Sequence, residues 1–205
     1  DVERSRGLGD VYKRQGVGLY LLYFYTDIVG ISPYLAGWIY AMGIAWDAIT
    51  DPFMGYLAER TVSKKGKYRP FIFFGTVPLA LSFILLFWIP PYTGLSLFLS
   101  LLIINILHRT CFTIVSVPYS SLTPRLSSDS EERTKLTTAR MICASFGTLL
   151  MSSLGFPLIN YFGQNNESVG ILYLSGIAGF FAVIILYATY FSVRENSTQE
   201  EKIAY

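Results

Sequence analysis

Cysteine, histidine and charged residues are scarce in this sequence of 205 residues. Only 15% of the residues are charged, two are cysteine and one is histidine. Cys111 and Cys143 lie in separate apolar runs without a C-x-x-C spacing, which argues against a disulfide framework or a thiolate metal site. The lone His108 excludes a histidine-cluster metal site, and we assign it no role. A net charge of +2 indicates no nucleic-acid partner.

Apolar residues dominate instead. The chain is 52% hydrophobic and 16% aromatic, and its mean hydropathy is +0.44, a composition typical of a membrane protein. A helix needs about 20 apolar residues to cross a bilayer, and only a helix satisfies its own backbone groups there. We therefore predict an all-α membrane protein with six spans. They are Gly16–Ile31, Tyr34–Leu57, Phe71–Pro90, Leu95–Leu122, Thr138–Phe162 and Val169–Phe191.

The loops between these spans alternate in Lys and Arg. Five basic residues lie between spans two and three and three lie after span four, whereas the other three loops have none. By the positive-inside rule the basic loops face the cytoplasm. We therefore expect a multi-pass protein of the inner membrane with both termini cytoplasmic.

Two acidic residues lie inside the second span, where ionisable groups are costly and usually functional. Asp47 and Asp51 are four residues apart, so they share one helix face about 6 Å apart along the axis. Such a pair either binds a proton or recruits a cation, which is the chemistry of a proton- or sodium-coupled carrier. The alternative is a structural ion pair with Arg109 or Arg140.

Arg109 lies near the middle of span four, too deep to reach either surface easily. It requires a carboxylate partner. If that partner is Asp47 or Asp51, the resulting internal ion pair puts the arginine in the place of a bound cation. The protein would then be a uniporter or would couple to protons.

Hydroxyl-bearing residues also occur within the spans. Tyr23 belongs to an aromatic cluster in span one that suits either stacking on a sugar ring or anchoring at the membrane interface. Thr113, Ser116 and Ser120 follow one another at spacings of three and four, so they share one face of span four. That face suits either substrate binding or helix packing.

Five segments in this order and spacing carry a family resemblance: YFYTDIVGIS, WDAITDPFMGYLAE, GKYRPFIFFGT, VPYSSLTP and EERTKLTTARMICASFG. The sequence resembles the melibiose-permease-like glycoside-pentoside-hexuronide cation symporters of the major facilitator superfamily. The resemblance implies a fold of twelve helices in two halves, with substrate held between them at the midplane. The chain then corresponds to the N-terminal half, a 3+3 inverted repeat, and a C-terminal six-helix half is its expected partner.

The resemblance also implies roles for particular residues. Asp47 and Asp51 match the cation-site carboxylates of the family, Thr113 matches a hydroxyl at that site, and Arg140 matches a sugar-site arginine on helix five.

Three positions depart from the family pattern. Ser116 replaces an aspartate and Ser120 a stacking tryptophan, so the cation site has one ligand fewer and a proton is an alternative to sodium. Val11 replaces an early acidic residue. Residues 1–15 are expected to be foreign to the bundle, residues 16–193 to form it, and residues 194–205 to be a cytoplasmic tail or the start of a central loop.

The expected function is symport of a glycoside, pentoside or hexuronide coupled to Na⁺ or H⁺, without any other cofactor. Asp47, Asp51 and Thr113 would bind the cation, and Arg140, Ser116, Ser120 and Tyr23 the sugar. One alternative is a passive sugar facilitator or a non-coupled relative of the family. A second alternative is a magnesium-dependent intramembrane prenyltransferase, which the absence of a second acid pair in the spans disfavours.

Overall fold

The computed structural model describes residues 18, 20–61, 66–126, 130–164 and 166–192. The side chains at 122–126, 130, 132, 133, 136, 140, 151 and 152 are outside this description. The regular secondary structure of the described residues is entirely helical. The expectations for residues 1–15, Val11 included, and for 194–205 concern residues outside the described part.

Six helical elements follow one another in these ranges, in the order of the six predicted segments. Helix α1 comprises residues 20–23 and a π-helical turn, and the other five are α-helices. Their bounds are Phe24–Ile28 for the π-helical turn, Pro33–Arg60 for α2, Arg69–Leu86 for α3, Gly94–Leu126 for α4, Ser130–Gly163 for α5 and Glu167–Ser192 for α6.

The helix ends have local causes. Ser32 caps α2, because its side chain accepts a hydrogen bond of 3.4 Å from the Leu35 amide, and Pro33 occupies the first helical position. Helix α3 ends at Leu86, four residues earlier than predicted. The amide of Phe87 turns back to the Ile84 carbonyl at 3.2 Å, which tightens the last turn before the prolines of the next loop.

Three of the described helices are long and apolar enough to cross a membrane: α3, residues Gly94–Ser121 of α4, and α6. A fourth is obtained when the segments Thr137–Leu150 and Ser153–Gly163 of α5 are taken as one span, bent by 46°. Helix α2 has 28 residues but carries two aspartates, which reduce its mean hydropathy. The protein is thus a multi-pass helical membrane protein.

Helix α4 packs against α2 and α3, and α6 packs against α3 and α5. At one end of the α3–α6 pair, the Arg69 guanidinium donates to the Tyr190 carbonyl at 2.8 Å and lies 4.6 Å from the centre of its ring. At Gly170 the α6 backbone lies against Ile159 of α5, so closely that a Cβ would collide with the Ile159 carbonyl. Small residues allow membrane helices to approach in this way.

Candidate functional site

Helices α2 and α4 contact each other along one face of each helix. In both helices the contacting residues recur every four positions, which is about one helical turn. On three successive turns, the sequence number of the α4 residue exceeds that of its α2 partner by 62. A constant difference means that the helices run parallel and stay in step. The pairs are Gly43 with Asn105, Asp47 with Arg109, and Asp51 with Thr113.

The central turn of this interface holds an ion pair. Arg109 Nη1 donates to Asp47 Oδ2, and the two side chains are 16% and 11% exposed, so the pair is largely withdrawn from its surroundings. Asp47 lies 14 residues after Pro33 and 13 before Arg60. At a rise of 1.5 Å per residue, the carboxylate is about 20 Å from either end of α2. The ion pair therefore lies at the middle of the helix.

Two further groups hold the arginine in place. Its Nε donates to Asn105 Oδ1 at 3.1 Å, and its guanidinium carbon lies 5.4 Å from the centre of the Tyr40 ring. A planar guanidinium suits this combination of a carboxylate, an amide oxygen and an aromatic face. Arg109 is therefore fixed by groups from both helices.

Gly43 makes room for this arrangement. A Cβ at position 43 would lie 2.6 Å from Asn105 Oδ1 and 2.8 Å from Arg109 Cδ, and it would collide with Arg109 Nε. Only glycine lets the arginine side chain lie across the α2 backbone at this turn. Gly43 is thus a positioning residue for Arg109.

The next turn towards the C-terminal ends of both helices holds the second carboxylate. The Thr113 hydroxyl donates to Asp51 Oδ1 at 2.8 Å. Thr113 is buried and Asp51 is half-buried. Carboxylate and hydroxyl oxygens are the ligands that hard cations prefer, and the same carboxylate can take up a proton.

Three other predicted site residues follow Thr113 along the chain, two of them on α4 and one on α5. Ser116 is half-buried and follows Thr113 by about one turn of α4, and Ser120 lies one turn further on and is exposed. Arg140 belongs to α5, and its side chain is outside the described part of the structure. The structure therefore brings Asp47, Asp51 and Thr113 together at one interface.

Tyr23 takes part in a different contact. Its hydroxyl donates to Glu167 Oε2 at 3.1 Å, in the first turn of α6. Its ring meets the Phe156 ring of α5 edge to face, with 5.4 Å between the centroids. Tyr23 thus joins α1 to α5 and α6.

His108 precedes Arg109 but points to another neighbour. Its Nδ1 lies 3.2 Å from Ser82 Oγ on α3, and its ring centre is 5.8 Å from that of Phe83. Adjacent residues of a helix point about 100° apart, so His108 packs on α3 while Arg109 reaches α2.

The sequence interpretation did not identify Gly43, Asn105 or Tyr40. A signal for two of them was present, because Gly43 precedes Asp47 by four residues and Asn105 precedes Arg109 by four. Residues at that spacing share a helix face. Tyr40 carried no comparable signal.

A multi-pass bundle of apolar helices with paired charges at mid-depth is the architecture of a membrane transporter. The sequence matches the family described as MFS/sugar transport protein over residues 8–204, and the chain belongs to that family. This confirms the predicted resemblance. This family consists of transporters and not of enzymes, so the prenyltransferase alternative is wrong.

Several curated relatives match most of the chain. The inner membrane symporter YicJ of Escherichia coli K12 is 32% identical over 93% of the chain and 42% of its own length. The isoprimeverose transporter of Lactiplantibacillus pentosus is 29% identical over 88% of the chain and 38% of its own length. The glucuronide carrier protein homolog of E. coli K12 is 31% identical, over 87% and 39% respectively. The chain thus spans about two fifths of the length of these relatives.

Proposed function

We propose that the chain is the N-terminal half of a symporter that moves a glycoside, pentoside or hexuronide together with Na⁺ or H⁺. One observation carries the proposal: the Asp51 carboxylate and the Thr113 hydroxyl, 2.8 Å apart, lie one turn from the Asp47 carboxylate on the same interface. Two carboxylates at membrane depth are costly unless they serve binding, proton transfer or ion pairing. Cation binding at this interface would favour the sugar-binding state.

The substrate class follows from the relatives and from the polar residues near the interface. Two relatives are named for isoprimeverose and for glucuronides. The hydroxyls of Ser116 and Ser120 suit the hydroxyls of a sugar, and an arginine at position 140 suits its oxygen atoms. We include Tyr23 because its phenol joins three helices at one end of the bundle, where a sugar would pass.

The proposed topology has six spans, with α1 and α2 included and both termini in the cytoplasm. Two of the helix contacts support a 3+3 inverted repeat. Exchanging α1 with α4, α2 with α5 and α3 with α6 converts the α2–α4 contact into an α5–α1 contact. Such a contact exists, because the Tyr20 ring of α1 lies 5.8 Å from the Phe156 ring of α5. The same exchange leaves the α3–α6 contact unchanged.

Cysteine accessibility tests this topology. With Cys111 and Cys143 replaced by Ser, single cysteines at Tyr92 and Lys67 would be treated with an impermeant maleimide on intact cells. We expect labelling at position 92 from outside, and labelling at position 67 only after permeabilisation. The reverse pattern would contradict the proposed orientation.

Uptake by the full-length protein tests the proposed function. Cells that produce it would be supplied with radiolabelled isoprimeverose or methyl β-D-glucuronide. We expect accumulation above the external concentration, its collapse with a protonophore or on replacing Na⁺ by choline, and at least a tenfold loss in Asp51→Asn. Absence of uptake for every glycoside and hexuronide tested would contradict the proposal.

A passive facilitator is the second candidate, and the Arg109–Asp47 ion pair favours it. An internal ion pair neutralises one of the two carboxylates without any external cation. Equilibration of the sugar without accumulation, insensitive to both ion gradients, is the result expected of a facilitator.

A further inference from the structure

We propose that Arg109 is a built-in counter-cation of Asp47, which excludes an alkali cation from that carboxylate. The inference rests on the proposed function in so far as it concerns a carboxylate of the proposed coupling site. It is testable without sugar, because it concerns cation binding alone.

The first argument is the way in which the guanidinium is held. It is bonded to Asp47 Oδ2, its Nε is bonded to Asn105, and the face of the Tyr40 ring lies 5.4 Å away. Gly43 supplies the space that its side chain occupies beside α2. An arginine that lay near a carboxylate by chance would not also need a glycine on the neighbouring helix to make space for it, an amide oxygen as acceptor and an aromatic ring beside it.

The second argument is electrostatic. A guanidinium is always charged, so the positive charge beside Asp47 is permanent. An alkali cation at Asp47 would lie beside a like charge in a region of low dielectric, and that repulsion opposes binding.

The third argument is the contrast with Asp51. Asp51 accepts a hydrogen bond from the Thr113 hydroxyl and is half-buried, whereas the Asp47 residue is only 8% exposed. The oxygen of this hydroxyl is a possible cation ligand, whereas the group that Arg109 presents to Asp47 is positively charged. The two carboxylates, one turn apart, therefore differ in their surroundings.

Binding of ²²Na⁺ to the purified full-length protein in detergent tests this assignment. The samples would be wild type, Arg109→Gln, Arg109→Lys, and the double variant Asp47→Asn with Arg109→Gln. Arg60→Gln is the control, because the Arg60 guanidinium stacks on Tyr56 near the end of α2, away from the ion pair. The retained cooperative unfolding of each variant would be checked by tryptophan fluorescence.

We expect Arg109→Gln to bind one more Na⁺ per protein than wild type, and Arg109→Lys and Arg60→Gln to match wild type. The double variant should also match wild type, because Asp47 binds no Na⁺ when Arg109 is present. The double variant can still be compared with wild type if Arg109→Gln fails to fold, because the double variant contains no unpaired buried charge at this position.

Two results would overturn the inference: a folded Arg109→Gln protein that binds no more Na⁺ than wild type, or a double variant that binds one Na⁺ fewer. Failure of the proposed function is a separate observation. A protein that transports no sugar but gains a Na⁺ site in Arg109→Gln would refute the symporter and support the counter-cation.

Discussion

The Thr113 hydroxyl donates to the Asp51 carboxylate across the α2–α4 interface at 2.8 Å, one turn from the Arg109–Asp47 ion pair. Helices α2 and α4 are therefore joined by a hydroxyl–carboxylate hydrogen bond and by an ion pair on successive turns. A movement of one helix along the other would break both contacts together. A ligand that binds at this interface thus acts on the relative position of the two helices.

For binding of the coupling ion, we expect the hydroxyl at position 113 to be more important than the volume of the side chain. Thr113→Val keeps the shape but removes the donor, and a hydrogen bond to a charged group contributes about 1.5 kcal/mol or more. We therefore expect Thr113→Val to raise the half-saturating concentration of the coupling ion for sugar uptake at least tenfold, and Thr113→Ser to stay within about twofold of wild type. Equal uptake by the two variants would show that this hydroxyl has no part in coupling.

The Asp47–Arg109 pair should behave as a coupled unit in stability. Removing one partner of a buried ion pair leaves a charge uncompensated and costs about 3–5 kcal/mol, whereas removing both can be nearly neutral. We expect Asp47→Asn and Arg109→Gln each to lower the unfolding free energy in detergent by amounts in this range. The double variant should be more stable than either single variant.

A thermodynamic cycle from tryptophan-monitored unfolding gives the coupling energy. Arg60→Gln, at a position that stacks on Tyr56, should change stability by less than about 1 kcal/mol. Additive effects in the cycle, with a double variant as unstable as the sum of the singles, would contradict a coupled pair.

Much of the α2–α4 interface could be read from the sequence. The spacing of Asp47 and Asp51 placed both on one face of α2, and the depth of Arg109 showed that it needed a carboxylate. The choice between Asp47 and Asp51 could not be predicted. It depends on the offset between two helices that lie far apart in sequence, and helical periodicity constrains each helix only by itself.

The helices were predictable from their apolar length, but not all of their irregularities were. Apolar length alone indicates a helix in lipid, so α2, α3, α4 and α6 begin and end within about four residues of the predicted bounds, whereas α5 begins at Ser130, well before the predicted Thr138. The π-helical turn at Phe24–Ile28 has no comparable signal in the sequence. The bend between Leu150 and Ser153 does have one, because it lies about one turn before Pro157, and a proline inside a helix removes the hydrogen bond to residue i−4 and kinks the helix. The position of Tyr23 has no such signal, because its contact with Glu167 follows from how α1 meets α6.

Gly43 provides a direct test of how tightly Arg109 is held. An alanine at 43 would place its Cβ 2.8 Å from Arg109 Cδ, and overpacking of this kind costs about 1–3 kcal/mol. Gly37 on the same helix has no neighbour within 4 Å, so Gly37→Ala is the matched control and should be neutral or stabilising by up to about 1 kcal/mol.

We therefore expect Gly43→Ala to lower the apparent melting temperature in detergent and to weaken coupling in the uptake assay. Gly37→Ala should leave both unchanged or slightly improved. If the two variants behave alike, Arg109 moves aside at little cost and is not fixed by the α2 backbone.

Gly170 should tolerate substitution less well than Gly176 of the same helix, because its nearest neighbour is backbone. A Cβ at 170 would collide with the Ile159 carbonyl oxygen and lie 2.9 Å from its carbon, and a carbonyl within α5 cannot rotate away as a side chain can. The α5–α6 pair would have to separate or shift, so we expect Gly170→Ala to cost at least about 1–3 kcal/mol. Gly176 has no neighbour within 4 Å, so Gly176→Ala should not destabilise the protein. Thermal unfolding of both variants in the same detergent measures the difference, and equal melting temperatures would show that the two helices are not in direct backbone contact.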